Sequence, residues 1–378
     1  MSPTAFRPLA VSLILSIILA LAGCGSSGSK VCSAASCCGP GNSLCPAPQF
    51  LYAAGVDGQV SIYPVNTGDG SLGTPSSVAG PKLSLGMATL NNQFLYVSDP
   101  MIQQLTSSID AWSINSGTGA LTPVQGSPFP LGQFTIAAGM ATNSAAQVIY
   151  VADAGRIDAL KADAMGALTP LPNSPFLSGT NLFLTVDPGS RFLFASDDTP
   201  PGGVLAFTID SSGALTAVPN SPFPVIPNSS TNAMPFGITF DSTGTFVYTV
   251  LQATGQVAGF SVVTPSGALN PIPGSPFATG SGPVTLTSAR NFLYVSNATD
   301  RTISGYSISA GSGMLTPLAN SPFPIAAAAL TTDPSGRFLY AASPTGLLAF
   351  AIDGTTGNLT PAGTPIAGVR ASALAYVP

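Results

Sequence analysis

The sequence predicts an all-β protein, a seven-bladed β-propeller of four-stranded antiparallel blades, on three observations. An apolar triplet, mostly Phe-Leu-Tyr, recurs seven times at intervals of 44 to 54 residues. A Gly-x-Leu signal recurs in the same phase of every repeat. The composition, with 41 Gly, 36 Pro and only 7% charged residues, suits short strands joined by tight turns. Gly supplies positive φ at such turns, and Pro pre-sets their geometry.

Residues 1–23 read as a lipoprotein signal peptide and stand apart from the fold. Arg7 supplies a weak positive start, and Leu9 to Ala22 is an apolar run too short to span a bilayer comfortably. It ends in Leu21-Ala22-Gly23-Cys24. Small residues before a cysteine resemble the bacterial lipobox, in which the cysteine is lipidated. That makes Cys24 the expected anchor to a membrane. Gly25, by resemblance to the bacterial sorting rule, points to the outer membrane where the cell has one.

Residues 24–47 read as a Ser/Gly-rich flexible tether. They hold four further thiols, Cys32, Cys37, Cys38 and Cys45. An exported protein meets an oxidising compartment, so disulfides are expected, with all three pairings open. No His supports a metal site there, and the adjacent pair Cys37-Cys38 departs from zinc-ribbon spacing.

Residues 48–378 hold the repeats. The triplets are Phe50-Leu51-Tyr52, Phe94-Leu95-Tyr96, Val148-Ile149-Tyr150, Phe192-Leu193-Phe194, Phe246-Val247-Tyr248, Phe292-Leu293-Tyr294 and Phe338-Leu339-Tyr340. Gly-x-Leu begins at Gly70, Gly119, Gly166, Gly213, Gly267, Gly313 and Gly357. Ser-Pro-Phe begins at Ser127, Ser174, Ser221, Ser275 and Ser321, and is missing from the first and last repeats.

Each repeat resolves into strands A to D. In the last, Ala328 to Thr332 is strand A and Phe338 to Ala342 strand B. Gly346 to Ile352 is strand C, and Leu359 starts strand D. Asp333-Pro334-Ser335-Gly336 is the A–B turn, its Asp able to bond its own backbone. The first repeat lacks a strand A, whereas Arg370 to Val377 has the pattern of one. The last strand is therefore expected to complete the first blade and remove an open sheet edge.

Strand B reads Tyr96-Val97-Ser98-Asp99, Tyr150-Val151-Ala152-Asp153 and Tyr294-Val295-Ser296-Asn297. On these residues the chain resembles YVTN-repeat propellers and the seven-bladed, 6-phosphogluconolactonase-like lactonase family. The resemblance implies His, Glu and Arg at the channel mouth, often with a Pro-His pair opening strand A. Here the matching pairs are Pro235-Phe236 and Pro283-Val284. The chain contains no His, and all 15 acidic residues are Asp. The family's activity therefore does not carry over residue by residue, and Ser-His-Asp catalysis is excluded.

Candidate ligand-binding residues are Asp99, Asp153, Asp197 and Asn297, which share one position three residues past the strand B aromatic. Asp198 lies beside the third. They either supply carboxylates to a cation or polyol, with calcium the cofactor such a rim would take, or cap their own B–C loops. The capping reading is favoured, and no resident cofactor is expected. Arg370 at the start of the closing strand either clamps a carboxylate or phosphate or is a solubilising charge. Arg156 and Arg301 are weaker versions of the same idea. The Ser-Pro-Phe serines have no base to activate them. Their Pro is expected to end the outer strand and their Phe to fill the wedge between blades. Trp112 is the only Trp, too few for a quinoprotein or WD-type propeller.

The ten basic residues are scattered singly, which excludes a nucleic-acid stripe. The expected protein is a monomeric, lipid-anchored extracytoplasmic ring in the cell envelope. It acts either as a binding or scaffold module for a protein or carbohydrate, as a diverged lactonase using Asp and Arg, or as a calcium-dependent adhesion protein. A tether entering at the A–B turn face would direct the opposite rim away from the membrane.

Overall fold

The structure, a computed structural model, describes residues 47–378 apart from 101–105, 134–136, 154, 178–180 and 228. The signal peptide, the lipidation site Cys24 and the cysteines Cys32, Cys37, Cys38 and Cys45 lie outside the described residues. Among the described residues no helix is long and apolar enough to cross a membrane.

Seven antiparallel sheets form the seven blades. The A strands, Ala371–Val377, Met87–Leu90, Ala137–Asn143, Asn181–Val186, Pro235–Phe240, Pro283–Ala289 and Ala329–Thr332, belong to blades 1 to 7 in turn. Each contacts the next, and the seventh contacts the first, so they surround a central axis. The closing strand Ala371–Val377 pairs with Gln49–Gly55, from Phe50 opposite Val377 to Ala54 opposite Ala373. This is the expected closure, one residue shorter at its start.

Strand B in the middle of each blade is the most strongly specified element. In blades 3 to 7 every residue of strand B is buried, for example Phe292–Asn297. A strand covered on both faces reads as a continuous apolar run, not as an alternation. The core is accordingly seven wedges, each shared by two adjacent blades. Trp112 fills the wedge between blades 1 and 2.

Two of the repeat signals meet physically. The strand B phenol of one blade donates a hydrogen bond to the Gly-x-Leu carbonyl of the next. Tyr52 reaches Gly119 at 2.8 Å, Tyr150 reaches Gly213 at 2.7 Å and Tyr294 reaches Gly357 at 2.7 Å. Tyr96 and Tyr248 do the same with Gly166 and Gly313, at 3.0 and 2.6 Å. Burial pushes these phenols well above their ordinary pKa, so they remain protonated donors. The glycine is required by contact as well as by conformation. At Gly119, with φ of 70°, a Cβ would lie 2.4 Å from the Phe50 ring.

The third signal splits the outer strand instead of ending it. In blade 2, Leu121–Pro123 and Phe129–Gln133 both pair with Thr106–Ile114. At the break, the Ser127 hydroxyl accepts the Ala111 backbone N–H at 2.9 Å. Ser174, Ser221, Ser275 and Ser321 make the same 2.9 Å bond in blades 3 to 6. Each serine thus satisfies a strand C donor where strand D is interrupted. The Phe that follows packs into the wedge toward the next blade, as expected.

The A–B turns are held by buried aspartates. Asp333 Oδ1 accepts from Arg337 and Phe338 N–H at 2.7 and 2.6 Å, and Asp241 Oδ1 accepts from Thr245 and Phe246, both at 2.8 Å. At the axis, side chains tie neighbouring A strands. Thr142 donates to the Thr89 carbonyl at 3.0 Å, and Ser288 to that of Phe240 at 2.7 Å.

Candidate functional site at the channel mouth

The channel has two ends. The A–B turns form one, and strand B finishes where strand A begins at the other, the mouth. In blades 1, 3, 4, 5 and 6 the A–B pairing slips at the mouth. In blade 5, Pro235 faces Leu251 but Ile238 already faces Thr249, so Phe236 and Gly237 oppose Val250 alone. Such bulges re-aim side chains and collect beside functional sites. The bulged residues include Ser372, Ala138, Phe183, Phe236 and Val284. Phe236 and Val284 are the positions at which the family resemblance implies His.

Phe183 and Phe236, on adjacent innermost strands, form a tilted pair with ring centroids 4.7 Å apart. Both are half-buried. Phe183 packs against the apolar wedge between blades 4 and 5, and Phe236 against the wedge between blades 5 and 6. Met234, just before strand A of blade 5, is 38% exposed.

The four aligned strand B ends have different fates. Asn297 is fully buried and structural: its amide donates to Thr302 and Ser304, and its oxygen accepts from Thr279. Asp197 is buried, and its carboxylate accepts the Thr199 N–H at 3.0 Å, a cap on its own loop. Asp153 is buried and ion-paired to Arg156 at 3.3 Å. Asp99 alone of the three aspartates keeps part of its surface exposed. The rim therefore does not present three carboxylates to one ligand. Among the described residues no group of three or more acidic, His or Cys side chains is placed to hold a metal ion.

Arg156 is an architectural cation. Its guanidinium reaches Asp153, Asp158 at 3.1 Å, and the Leu131 carbonyl of blade 2 at 3.3 Å. Burial pushes the Asp158 carboxyl up against the pull of Arg156. Arg301 lies exposed in the B–C turn of blade 6. Arg370 immediately precedes the closing strand. Its carbonyl accepts from Val56, while its exposed side chain enters no ion pair among the described residues. The Ser372 hydroxyl, two residues on, donates to the Ser84 carbonyl of blade 2 and fixes this corner.

Two groups at the mouth carry more than their positions in sequence announce. Asp198, in the B–C loop of blade 4, has a buried Oδ1 with no hydrogen-bond partner among the described residues. Asp110, on strand C of blade 2 opposite Val97, has its pKa pushed up to about 6 by burial and then by the Asp99 charge. It shares its phase in strand C with Thr106, Ser108, Trp112 and Ile114, so the local pattern did not single it out.

The fold defines a seven-bladed β-propeller. The family model for the lactonase seven-bladed β-propeller matches residues 238–375, from blade 5 through the closing strand. The periplasmic gluconolactonase of Pseudomonas aeruginosa is similar at TM-score 0.72 and 18% identity, over 88% of this chain and 99% of that one. A Bacteroides uniformis protein provisionally described as a 6-phosphogluconolactonase gives TM-score 0.73 and 18% identity, over 88% and 99%. A Bacteroides fragilis protein with the same provisional description gives 0.71 and 17%, over 88% and 98%. No curated protein sequence matches the chain significantly.

Proposed function

We propose that the protein is a lactonase-type hydrolase outside the cytoplasm, opening a lactone held across the channel mouth. The match of blades 5 to 7 to the lactonase family carries this reading. In the proposed step an Asp carboxylate, Asp198 or the half-exposed Asp99, takes a proton from the water that attacks the carbonyl carbon. Arg370 donates to the carbonyl oxygen as charge builds on it. The ring C–O bond breaks, the leaving alkoxide takes back the proton held by the Asp, and the new carboxylic acid loses its remaining proton to solvent to leave a hydroxycarboxylate. Blade 1 stands across the ring from blade 4, so Asp198 would act from the side opposite Arg370, whereas Asp99 in blade 2 would act from the adjacent blade. The periplasmic neighbour supports the extracytoplasmic location. Lipid anchoring at Cys24 belongs to the same proposal.

A second reading is a binding module without turnover. The apolar bulge residues Phe236 and Val284, and the lack of His and Glu, favour it. Turnover of a lactone panel by the purified protein separates the two. Hydrolysis that falls at least tenfold in Arg370→Ala and in Asp198→Asn supports the enzyme. Rates equal to buffer for every lactone would leave only the binding module.

A further inference from the structure

Opposite rims of the mouth differ in their innermost strands, while the charged Asp198 and Arg301 lie in the B–C loops of blades 4 and 6. Blades 4 to 6 present Phe183, Phe236, Val284 and the exposed Met234, and blade 1 presents the Arg370 cation at the opposite rim. A polyhydroxylated or phosphorylated sugar would meet few hydrogen-bonding side chains at the bulges, where hydroxyls need partners. An alkyl group would instead remove apolar surface from water on both itself and the two rings.

We infer that the mouth takes an alkyl-bearing carboxylate or the lactone that opens to it, its chain against Phe183 and Phe236 and its carbonyl end toward Arg370. This deepens the hydrolase reading by naming the substrate class, and rests on that reading only for the lactone. A cation before the closing strand and a cluster of apolar side chains on the innermost strands across the ring match the two ends of such an amphiphile. Ser372 is the one hydroxyl among the bulged residues named above, and it lies on the Arg370 side.

The test uses probes that cannot be hydrolysed. Binding of butyrate, hexanoate, octanoate and decanoate, with gluconate as the polar comparison, is measured by calorimetry on the purified protein. The expected Kd falls by about two- to fourfold per added methylene, the value for a largely buried CH2. Gluconate is expected to bind more weakly than octanoate. Phe236→Ser, and independently Met234→Ser at a more exposed position, should flatten the chain-length slope. Arg370→Ala should weaken every member by a similar factor and leave the slope intact.

A flat series, gluconate binding more tightly than octanoate, or a slope unchanged in both Phe236→Ser and Met234→Ser overturns the assignment. Lactone turnover is read in parallel. A steep series with no turnover upholds this inference and sinks the hydrolase. Turnover of glucono-δ-lactone with a flat series does the reverse.

Discussion

The phenol of Tyr340 donates a hydrogen bond to the carbonyl of Gly70, 3.2 Å away in space and 270 residues back in sequence. It is the same contact that links every other Tyr-bearing blade to its successor, used here to join the last blade to the first. Tyr340→Phe should lower unfolding free energy by about 1 kcal/mol, the usual net worth of one such bond. Gly70→Ala should cost more, since its Cβ would lie 2.2 Å from the Phe338 ring and the residue has φ of 77°. Denaturant titrations of both variants check the ranking.

Blade 4 breaks the pattern. Phe194 stands where the other blades have Tyr, so the Gly267 carbonyl receives no phenol. Phe194 is fully buried, and Gly267 already packs on Phe192. Phe194→Tyr should therefore raise stability by about 0.5–1 kcal/mol if the hydroxyl reaches the carbonyl. A midpoint in urea below that of the unmodified protein would show that the pocket lacks room.

The outer serines give a sharp contrast between structure and catalysis. Ser221→Ala removes the acceptor for the Ala206 N–H and should cost about 1–2 kcal/mol, the penalty for an unpaired donor near the blade edge. Any lactone turnover should stay unchanged at a temperature where the variant remains folded. Loss of turnover with stability intact would make the serine chemical.

Asp110 should give the ring an acid-favoured component of stability. Its folded pKa, pushed up to about 6, lies above the value in the unfolded chain. The folded state thus binds more protons between roughly pH 4 and 6, and stability falls as pH rises through that window. Asp110→Asn should be more stable than the parent at pH 7 by about 1 kcal/mol, a figure reduced for solvent screening. The difference should shrink toward pH 4, which thermal melts at a series of pH values would register.

The blades were legible because strand B is covered on both faces, so that Phe338 to Ala342 stands out as an unbroken apolar run. The observed strand, Phe338–Ser343, differs by one residue. The closing strand was legible from the missing strand A at the other end. The role of Ser127 was not, because its partner Ala111 lies 16 residues earlier and becomes a partner only when strands C and D are in register. The mouth was half legible. Phe236 was visible as the residue in place of a His, but its pairing with Phe183 depends on slips in two separate blades. Asp153 and Asp197 share an alignment position with Asp99, yet loop length decides their fate: Arg156 follows Asp153 closely enough to neutralise it.

The tyrosine–glycine contacts run round the ring in one direction and distinguish no starting point. Phe50 lies directly opposite Val377, so the two ends of residues 47–378 come together at the side of the A–B turns. A short Gly/Asn-containing link there would be one more turn of a kind the molecule already makes in its other blades. New termini could then open at any other A–B turn, such as Asp241 to Gly244 in blade 5. A circular permutant of this design keeps all six phenol contacts and the mouth intact, so the order of blades along the gene is a historical choice that the ring itself does not require.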